Sequence, residues 1–144
     1  MLRLLARPVP VLVRALVLTA SALAAACGSD STTTPTTPTP DPITETFSGT
    51  LTVNGASTHT FSSSASGSVS ATVNTIAPDT STMMGISLGI WNGTGCNIVV
   101  ANDEAVQTTV VYGNATSAGQ LCVRLYDVGR FSEPTSYEIT VVHP

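Results

Sequence analysis

Two short polar segments carry the side chains best suited to binding chemistry. Trp91 and Asn92 supply an aromatic face and an amide, and Asn102-Asp103-Glu104 is the densest group of oxygen-bearing side chains. An aromatic ring can stack on a sugar or a peptide, while carboxylates orient hydroxyl groups directly or through calcium. Both segments are expected in loops at strand ends, where sandwich folds expose binding residues. Trp91, Asn92, Asp103 and Glu104 are therefore the candidate ligand-binding residues.

Each of these residues also has a plainer structural interpretation. A single tryptophan at a strand end is commonly a core or rim residue, and the acidic group could be a solvated turn between strands. Asp79 or Asp127 could join Asp103 from other loops to bind calcium, although the spacing matches no EF-hand loop. We predict no cofactor and no metal site, with calcium as the alternative.

The histidines do not indicate an enzyme. A hydrolase needs a base beside a nucleophile, and His59 and His143 are the only histidines in the chain. His59 shares a predicted strand face with Phe61, which favours a packed or half-exposed structural role. His143 lies next to the last residue, where we expect fraying. No Gly-x-Ser-x-Gly motif occurs, so no catalytic residues are predicted and the protein is expected not to be an enzyme.

The first segment of the chain has the composition of a secretory signal peptide. An apolar core from Ala15 to Leu23 follows three arginines and precedes the small residues Ala24 to Ala26. This core is about half the roughly 20 residues that a membrane-spanning helix needs. We therefore predict export, with residues 1–26 as the signal peptide.

The next residues resemble the lipobox of bacterial lipoproteins. The segment from Leu23 to Ser29, LAAACGS, places Cys27 directly after the small residues, and in that family this cysteine is acylated and becomes the mature N-terminus. The family most often has leucine three positions before the cysteine, where this chain has Ala24. The resemblance implies lipidation of Cys27, a membrane partner reached through the N-terminal lipid, and a place in the cell envelope at the outer membrane or cell surface. An ordinary signal with an incidental cysteine is the alternative.

The cysteine count fits an exported domain. Setting Cys27 aside leaves Cys96 and Cys122, and a domain outside the cytosol can keep a disulfide. Closing the span between them would stabilise the fold by roughly 3–4 kcal/mol in the chain-entropy model. A metal site or a catalytic thiol is the alternative, but neither cysteine has a CxxC neighbour. We predict a disulfide between Cys96 and Cys122.

The charge balance excludes two classes of partner. All nine acidic residues follow Cys27, and only Arg124 and Arg130 remain once the leader is removed, so two minus nine gives a net charge of −7. Nucleic-acid binding needs clustered Lys and Arg, and electrostatic docking on anionic lipid has the same requirement. We therefore expect no nucleic-acid partner and no electrostatic attachment to a membrane.

A spacer and one domain follow the signal peptide. Residues 27–42 consist of Cys27 and a stretch rich in threonine and proline with no large apolar side chain to bury, so we expect them to be disordered. Proline biases such a chain toward extended conformations of about 3.1 Å per residue, which gives a reach of up to ~45 Å. Residues 43–144 have the size of a single domain.

Alternating apolar residues predict an all-β domain in residues 43–144. Short alternating segments recur between turn-forming residues, without sustained helical periodicity. Asn54-Gly55 is a strong hairpin signal between the first two strands. Seven or eight short strands of this kind indicate a single antiparallel β-sandwich. The residues that share a face within their strands are Phe47, Leu51, Val53, Phe61, Val69, Ala71, Val73, Ile86, Leu88, Ile90, Leu121, Val123, Leu125, Tyr137, Ile139 and Val141.

The opening and closing strands resemble those of the bacterial pre-peptidase C-terminal (PPC) domain. The segments that carry the resemblance are Thr44–Leu51, His59–Phe61, Gly119–Asp127 and Tyr137–Val141. The resemblance implies a jelly-roll-like β-sandwich of the kind appended to secreted enzymes, for which binding or secretion roles are proposed. The Asp-rich strand of that family is replaced here by Gly85–Ile90, which argues against a calcium role for that strand.

These features predict a membrane-anchored, exported lipoprotein whose non-catalytic β-sandwich is a binding or adhesion module for an extracellular polymer or a protein partner. The alternative is a structural envelope component, or an assembly subunit joined through its sheet edges. An exposed site around Trp91 would favour binding, whereas an unprotected edge strand would favour assembly.

Overall fold

The computed structural model describes residues 40–144, and all regular structure in this part of the chain is β-strand. The strands are β1 Ile43–Leu51, β2 Ala56–Ser63, β3 Gly67–Ala77, β4 Met84–Trp91, β5 Cys96–Ala105, β6 Val110–Ala115, β7 Gly119–Tyr126 and β8 Thr135–His143. The prediction of an all-β fold with seven or eight strands is confirmed. The predictions for Cys27, for the signal peptide and for most of the spacer lie outside the described residues.

The strands form two four-stranded sheets that pack face to face. Sheet A has the strand order β1-β8-β3-β6, and sheet B has the order β2-β7-β4-β5. Every neighbouring pair is antiparallel. This is the order of a jelly roll, in which most connections cross from one sheet to the other. Only β4 and β5 are both consecutive in the described chain and paired in a sheet.

The core lies between the inner faces of the two sheets, because side chains along each strand alternate between core and solvent. Almost all of the predicted shared-face residues are buried there, among them Val73, Ile86, Leu125 and Ile139. Ile90 is an exception with 52% of its surface exposed, because the inner face of sheet B opens to solvent at the end of β4. Val53 is also exposed, since it lies in the turn after β1.

The predicted hairpin at Asn54-Gly55 is wrong. β1 pairs with β8 while β2 pairs with β7, so the two strands belong to different sheets. The residues do form a tight turn, in which the Gly55 N–H donates to the Thr52 carbonyl at 2.8 Å and Asn54 has a φ of 57°. Asparagine tolerates this left-handed conformation. Asn54-Gly55 therefore predicts only that the chain reverses direction locally. The pairing of β1 with β8 and of β2 with β7 is decided by burial between distant strands.

Candidate functional site

The four candidate ligand-binding residues lie at opposite ends of the β4–β5 hairpin. Trp91 pairs with Cys96, whereas Asn102 pairs with Ile86, five residues earlier along β4. Five residues of a strand span about 16 Å, so the two candidate segments do not form one site. Asp103 and Glu104 lie within β5, and the prediction that they occupy a loop is wrong. They look like loop residues because the edge strand is exposed there and its pairing register shifts between Met84 and Ile86.

Asn92 builds the turn that follows β4. Its Oδ1 accepts hydrogen bonds from the N–H groups of Thr94 at 3.0 Å and Gly95 at 2.8 Å. Its Nδ2 donates to Asn97 Oδ1 at 3.3 Å. Asparagine commonly stabilises turns in this way, so most of the hydrogen-bonding capacity of this amide serves the turn.

Asp103 belongs to a polar cluster on the outer face of sheet B. Tyr126 Oη donates a hydrogen bond to Asp103 Oδ1, and the tyrosine ring crosses β4 above Gly85, where any Cβ would overlap it. The guanidinium of Arg124 lies 5.7 Å from the ring centroid. Burial, followed by the hydrogen bond to Asp103 and the negative charge there, raises the pKa of Tyr126 to about 12. The phenol therefore stays protonated at physiological pH and holds the carboxylate of Asp103.

The three aspartates suggested as calcium ligands are not brought together. Asp79 lies between β3 and β4, where its Oδ1 accepts the Ser81 N–H at 2.9 Å, and this bond lowers the pKa of Asp79. Asp127 follows β7 and accepts the N–H groups of residues 129–131. In residues 40–144 no three His, Cys, Asp or Glu side chains are grouped closely enough to hold a metal ion. Each of these three carboxylates already accepts at least one hydrogen bond from another residue of the chain.

Cys96 and Cys122 form the predicted disulfide. The bond crosses β4 at Gly89, which pairs with Cys122. A Cβ at Gly89 would overlap the carbonyl oxygen of Asn97 and lie 3.1 Å from Cys96 Sγ. The disulfide therefore fixes the edge strand β5 to β7, at the end of the hairpin where Trp91 lies.

An apolar cavity of about 290 Å³ opens between β5 and β6, the edge strands on one side of the sandwich. We call it the β5–β6 cleft. Inner-face residues of both sheets line it, including Phe61, Val69, Leu88 and Leu121, and so does Trp91. Trp91 is half-buried in this position, so it is neither a core residue nor a fully exposed platform.

The cleft exists because β6 presents small residues to the interior. Val111, Gly113 and Ala115 face inward, while Tyr112 and Asn114 face outward. A Cβ at Gly113 would lie 3.4 Å from Leu88 and 3.8 Å from a Val100 methyl, which are ordinary van der Waals distances, so the space does not by itself require glycine. A glycine inside a strand often marks the close approach of a ligand or another backbone. Glycine at an inward position of VVYGNA was the sequence signal for this site, and the sequence-based candidates did not include it.

Exposed apolar side chains lie on the strands that border the cleft. Val99 of β5 is 69% exposed and Tyr112 of β6 is 71% exposed. Ile90 and Ile98 are also exposed. Of these four residues, Ile90 and Val99 line the cleft, whereas Ile98 and Tyr112 do not. Exposed apolar side chains at the rim of an apolar cavity are typical of an interaction site.

The opposite side of the sandwich is closed by side chains. Between the edge strands β1 and β2, the Phe47 ring stacks on His59 with 4.8 Å between centroids. His59 Nε2 is hydrogen-bonded to Tyr137 Oη at 2.8 Å, and burial lowers the pKa of His59. His59 is half-buried in this contact, as predicted.

The expectation that His143 frays is wrong. Its side chain is 1% exposed, its ring centroid lies 4.9 Å from that of Phe61, and its Nε2 lies 3.0 Å from Glu45 Oε1. The backbone is held because β8 lies between β1 and β3, and the register of β1 with β8 continues to Ile43 and His143. In the described residues both histidines are therefore engaged in structural contacts.

A scan against protein-family models matches no family, and a search of curated proteins finds no match for this chain. The resemblance to the PPC domain and the lipoprotein assignment therefore stay predictions. Within residues 40–144 there is no helix that is long and apolar enough to cross a membrane.

Proposed function

We propose that this chain is an exported lipoprotein, held in the cell envelope by lipid on Cys27, whose non-catalytic β-sandwich is a binding or adhesion module. The β5–β6 cleft carries the proposal. It is an apolar cavity of about 290 Å³ on one side of the sandwich, while the other side is filled by Phe47, His59 and Tyr137. An extracellular partner inserts an apolar group into this cleft.

The size and chemistry of the cleft suit such a role. Ligand sites are mostly apolar concavities of about 300–1,000 Å³ with a few polar groups, and the polar loop residues Thr116 and Ser117 line this one. Burying one side chain of leucine or phenylalanine size contributes about 1.5–3 kcal/mol. The exposed Val99 beside the cavity would add to the apolar contact.

Export is supported by the disulfide and by the sequence before the domain. Disulfides persist outside the cytosol, where thiols are not kept reduced, and the Cys96–Cys122 bond fits that environment. In this proposal the signal peptide directs the chain to export, and the lipid on Cys27 holds it at the membrane. The Thr/Pro-rich stretch separates the domain from the membrane surface.

The jelly-roll strand order agrees with the fold that the PPC resemblance implies, and that resemblance favours a binding role over catalysis. The contacts of the two histidines support the same conclusion. His59 bonds to Tyr137 and His143 to Glu45, and these contacts are of a structural kind.

The alternative function is a structural envelope component joined through sheet edges. One observation favours it, because β6 is an edge strand without a charged residue and without a register shift. Such an edge is open to pairing with another strand.

The cleft can be tested with Nile red, an uncharged apolar dye, and the whole chain exported with Cys27→Ser so that no detergent is present. We expect the dye to bind with a blue-shifted emission and to change the fluorescence of Trp91, the only tryptophan in the chain. Gly113→Leu fills the cleft and should weaken dye binding by about tenfold or more, the effect of losing ~1.4 kcal/mol of contact.

Thr72→Val is the control, because it replaces a hydroxyl by a methyl group on the outer face of β3 and leaves the cleft unchanged. Thermal melts should show that both variants are folded. Equal dye affinity in the parent and Gly113→Leu proteins would refute the cleft as the binding site.

A further inference from the structure

We propose that the β5–β6 cleft recognises an extended segment of another polypeptide, which pairs with the open edge of β6 and inserts an apolar side chain opposite Gly113. This inference rests on the proposed function, since it names the partner and the binding mode of the same cleft. Adding a strand to a sheet edge is a common form of peptide recognition, in which backbone hydrogen bonds give affinity and pockets for alternate side chains give specificity.

The edge of β6 has the properties that strand addition requires. β6 pairs only with β3, at a regular register from Gly67↔Ala115 to Thr72↔Val110. It ends sheet A, so its outer row of N–H and C=O groups faces away from the sheet. No charge, proline or bulge interrupts it, and these are the usual devices that protect an edge.

The other three edges are less open. β5 has two register shifts in its pairing with β4 and carries Asp103 and Glu104. β1 and β2 border the closed side of the sandwich, where the Phe47–His59 stack fills the space between the sheets. A strand added beside either would find no room for its inward side chains.

The inward positions of β6 determine what the incoming strand must supply. Gly113 and Ala115 leave the interior unfilled beside Leu88 and Val100. In an antiparallel pair, a residue directly opposite Gly113 points to the same face, and an aromatic side chain opposite an edge glycine stabilises the pair. The partner segment therefore has an aromatic or large aliphatic residue opposite Gly113 and a second apolar residue two positions along, opposite Ala115.

The negative charge of this chain determines which residue the partner segment carries at the end that lies near the start of β6. Glu104 precedes the last residue of β5, next to the turn that leads into β6. Its side chain is exposed and makes no hydrogen bond or ion pair within residues 40–144, whereas Asp103 is held by Tyr126. The mature chain has a net charge of −7. A basic residue near the start of β6 therefore completes a segment that is apolar at one end and positive at the other.

Three other occupants fit the cleft less well. A second copy paired through β6 would bring glycine and alanine opposite small residues, so neither cleft would be filled, and two chains of charge −7 repel each other. The Thr/Pro-rich residues 28–42 of this chain contain no large apolar side chain. A lipid acyl chain would fill the cavity but would leave the edge groups of β6 unpaired.

The test uses two fluorescein-labelled heptapeptides, VTFTATK for antiparallel and KTATFTV for parallel pairing, with the Cys27→Ser full chain. We expect one of them to bind and to slow amide hydrogen exchange of Val110–Ala115 by at least about tenfold, because strand addition protects edge amides. The matched peptide VFTTATK has the composition of the first but moves phenylalanine to an outward position, and should bind about tenfold more weakly.

Two variants assign the contacts. Gly113→Leu should abolish peptide binding while Thr72→Val retains it, and Glu104→Gln should weaken binding and reduce its dependence on salt concentration. Failure of both peptides to bind at millimolar concentration, or binding without protection of β6, overturns the proposal.

Palmitate binding in place of the peptides would identify an acyl-chain site and overturn it as well. The proposal would also be overturned if the amides of β6 exchanged more slowly at higher protein concentration in the absence of peptide, because that result would indicate self-association through β6. The Nile red result separates the two levels: if the dye binds and the peptides do not, the strand-addition mode fails and the proposed function stands.

Discussion

Single side chains decide which side of this sandwich is open. On the β1–β2 side, Phe47, His59 and Tyr137 fill the space between the sheets with rings. On the β5–β6 side, Gly113 supplies no side chain where the surrounding atoms would accept one. The two sheets are alike in strand number, so this difference in side-chain volume, rather than the topology, creates the cleft.

His59 predicts a pH dependence of stability. Burial disfavours the charged imidazolium, so the pKa of His59 lies below its usual value of 6.5. As the pH falls through about 6.5, the unfolded chain binds a proton that the folded protein binds only at lower pH, and the free energy of unfolding decreases. His59→Gln keeps a polar partner for Tyr137 Oη but does not titrate. Its stability should therefore change less between about pH 7 and pH 5.

Urea denaturation of both proteins across this pH range measures the effect. His143 and its partner Glu45 are present in both proteins, so the difference between the two curves isolates His59. Parallel curves would show that the proton affinity of His59 does not change on folding.

Trp91 shows how far the site could be predicted at this scale. Its position at the end of an apolar strand indicates a core residue, a rim residue or an exposed platform, and in the structure it lines the cleft while half-buried. Asn92 and Asp103 carry polar groups that bond within the chain, to the turn and to Tyr126. A sequence shows which groups could bind a ligand, but a partner such as Tyr126, which occupies Asp103, comes from a distant strand.

At the scale of elements, the β4–β5 hairpin is the part of sheet B that the disulfide stabilises. The bond joins residues 26 positions apart and links β5 to β7 across β4. Replacing both cysteines, with Cys96→Ala and Cys122→Ala together, should lower the free energy of unfolding by about 3–4 kcal/mol, because the unfolded chain gains the entropy of the opened loop. Chemical denaturation with and without a reductant measures this loss.

The reductant provides the control for that experiment. It should destabilise the parent protein by a similar amount and leave the double variant unchanged. Thiol titration of the folded parent, carried out with Cys27→Ser, should find no free thiol. Two titratable thiols would contradict the pairing.

The strands were predictable because alternation is a property of each segment by itself. Val69, Ala71 and Val73 in β3, and Tyr137, Ile139 and Val141 in β8, are buried as their spacing indicates. Pairing was not predictable in the same way. Asn54-Gly55 marks a turn, yet the two strands that it joins find partners more than 50 residues later in the chain. Two further errors have the same cause. Glu104 lies within β5 because of the pairing of β5 with β4, and His143 is held because β8 lies between β1 and β3. Neither pairing can be read from the local sequence.

At the scale of the whole molecule, the charge of the chain after Cys27 bears on how the proposed lipid anchor would hold it at a membrane. The nine acidic residues and two arginines that follow Cys27 give it a net charge of −7. Stable anchoring needs two signals, such as two acyl chains or one chain with a basic patch. The acidic domain cannot supply the basic patch, so under our proposal the lipid on Cys27 has to provide the whole of the attachment.

Cys27→Ser should therefore release the protein completely from the membrane fraction, rather than in part, because acylation requires the thiol and no electrostatic contact remains to hold the domain. Each methylene of an acyl chain contributes about 0.8 kcal/mol to anchoring, a hydrophobic term that salt does not screen, so the wild-type protein should stay bound through a high-salt wash. Metabolic labelling with an alkyne fatty acid, followed by fractionation, measures both lipidation and attachment. Wild-type protein without label, or Cys27→Ser protein that remains with the membranes, would show that the lipobox resemblance does not describe this chain.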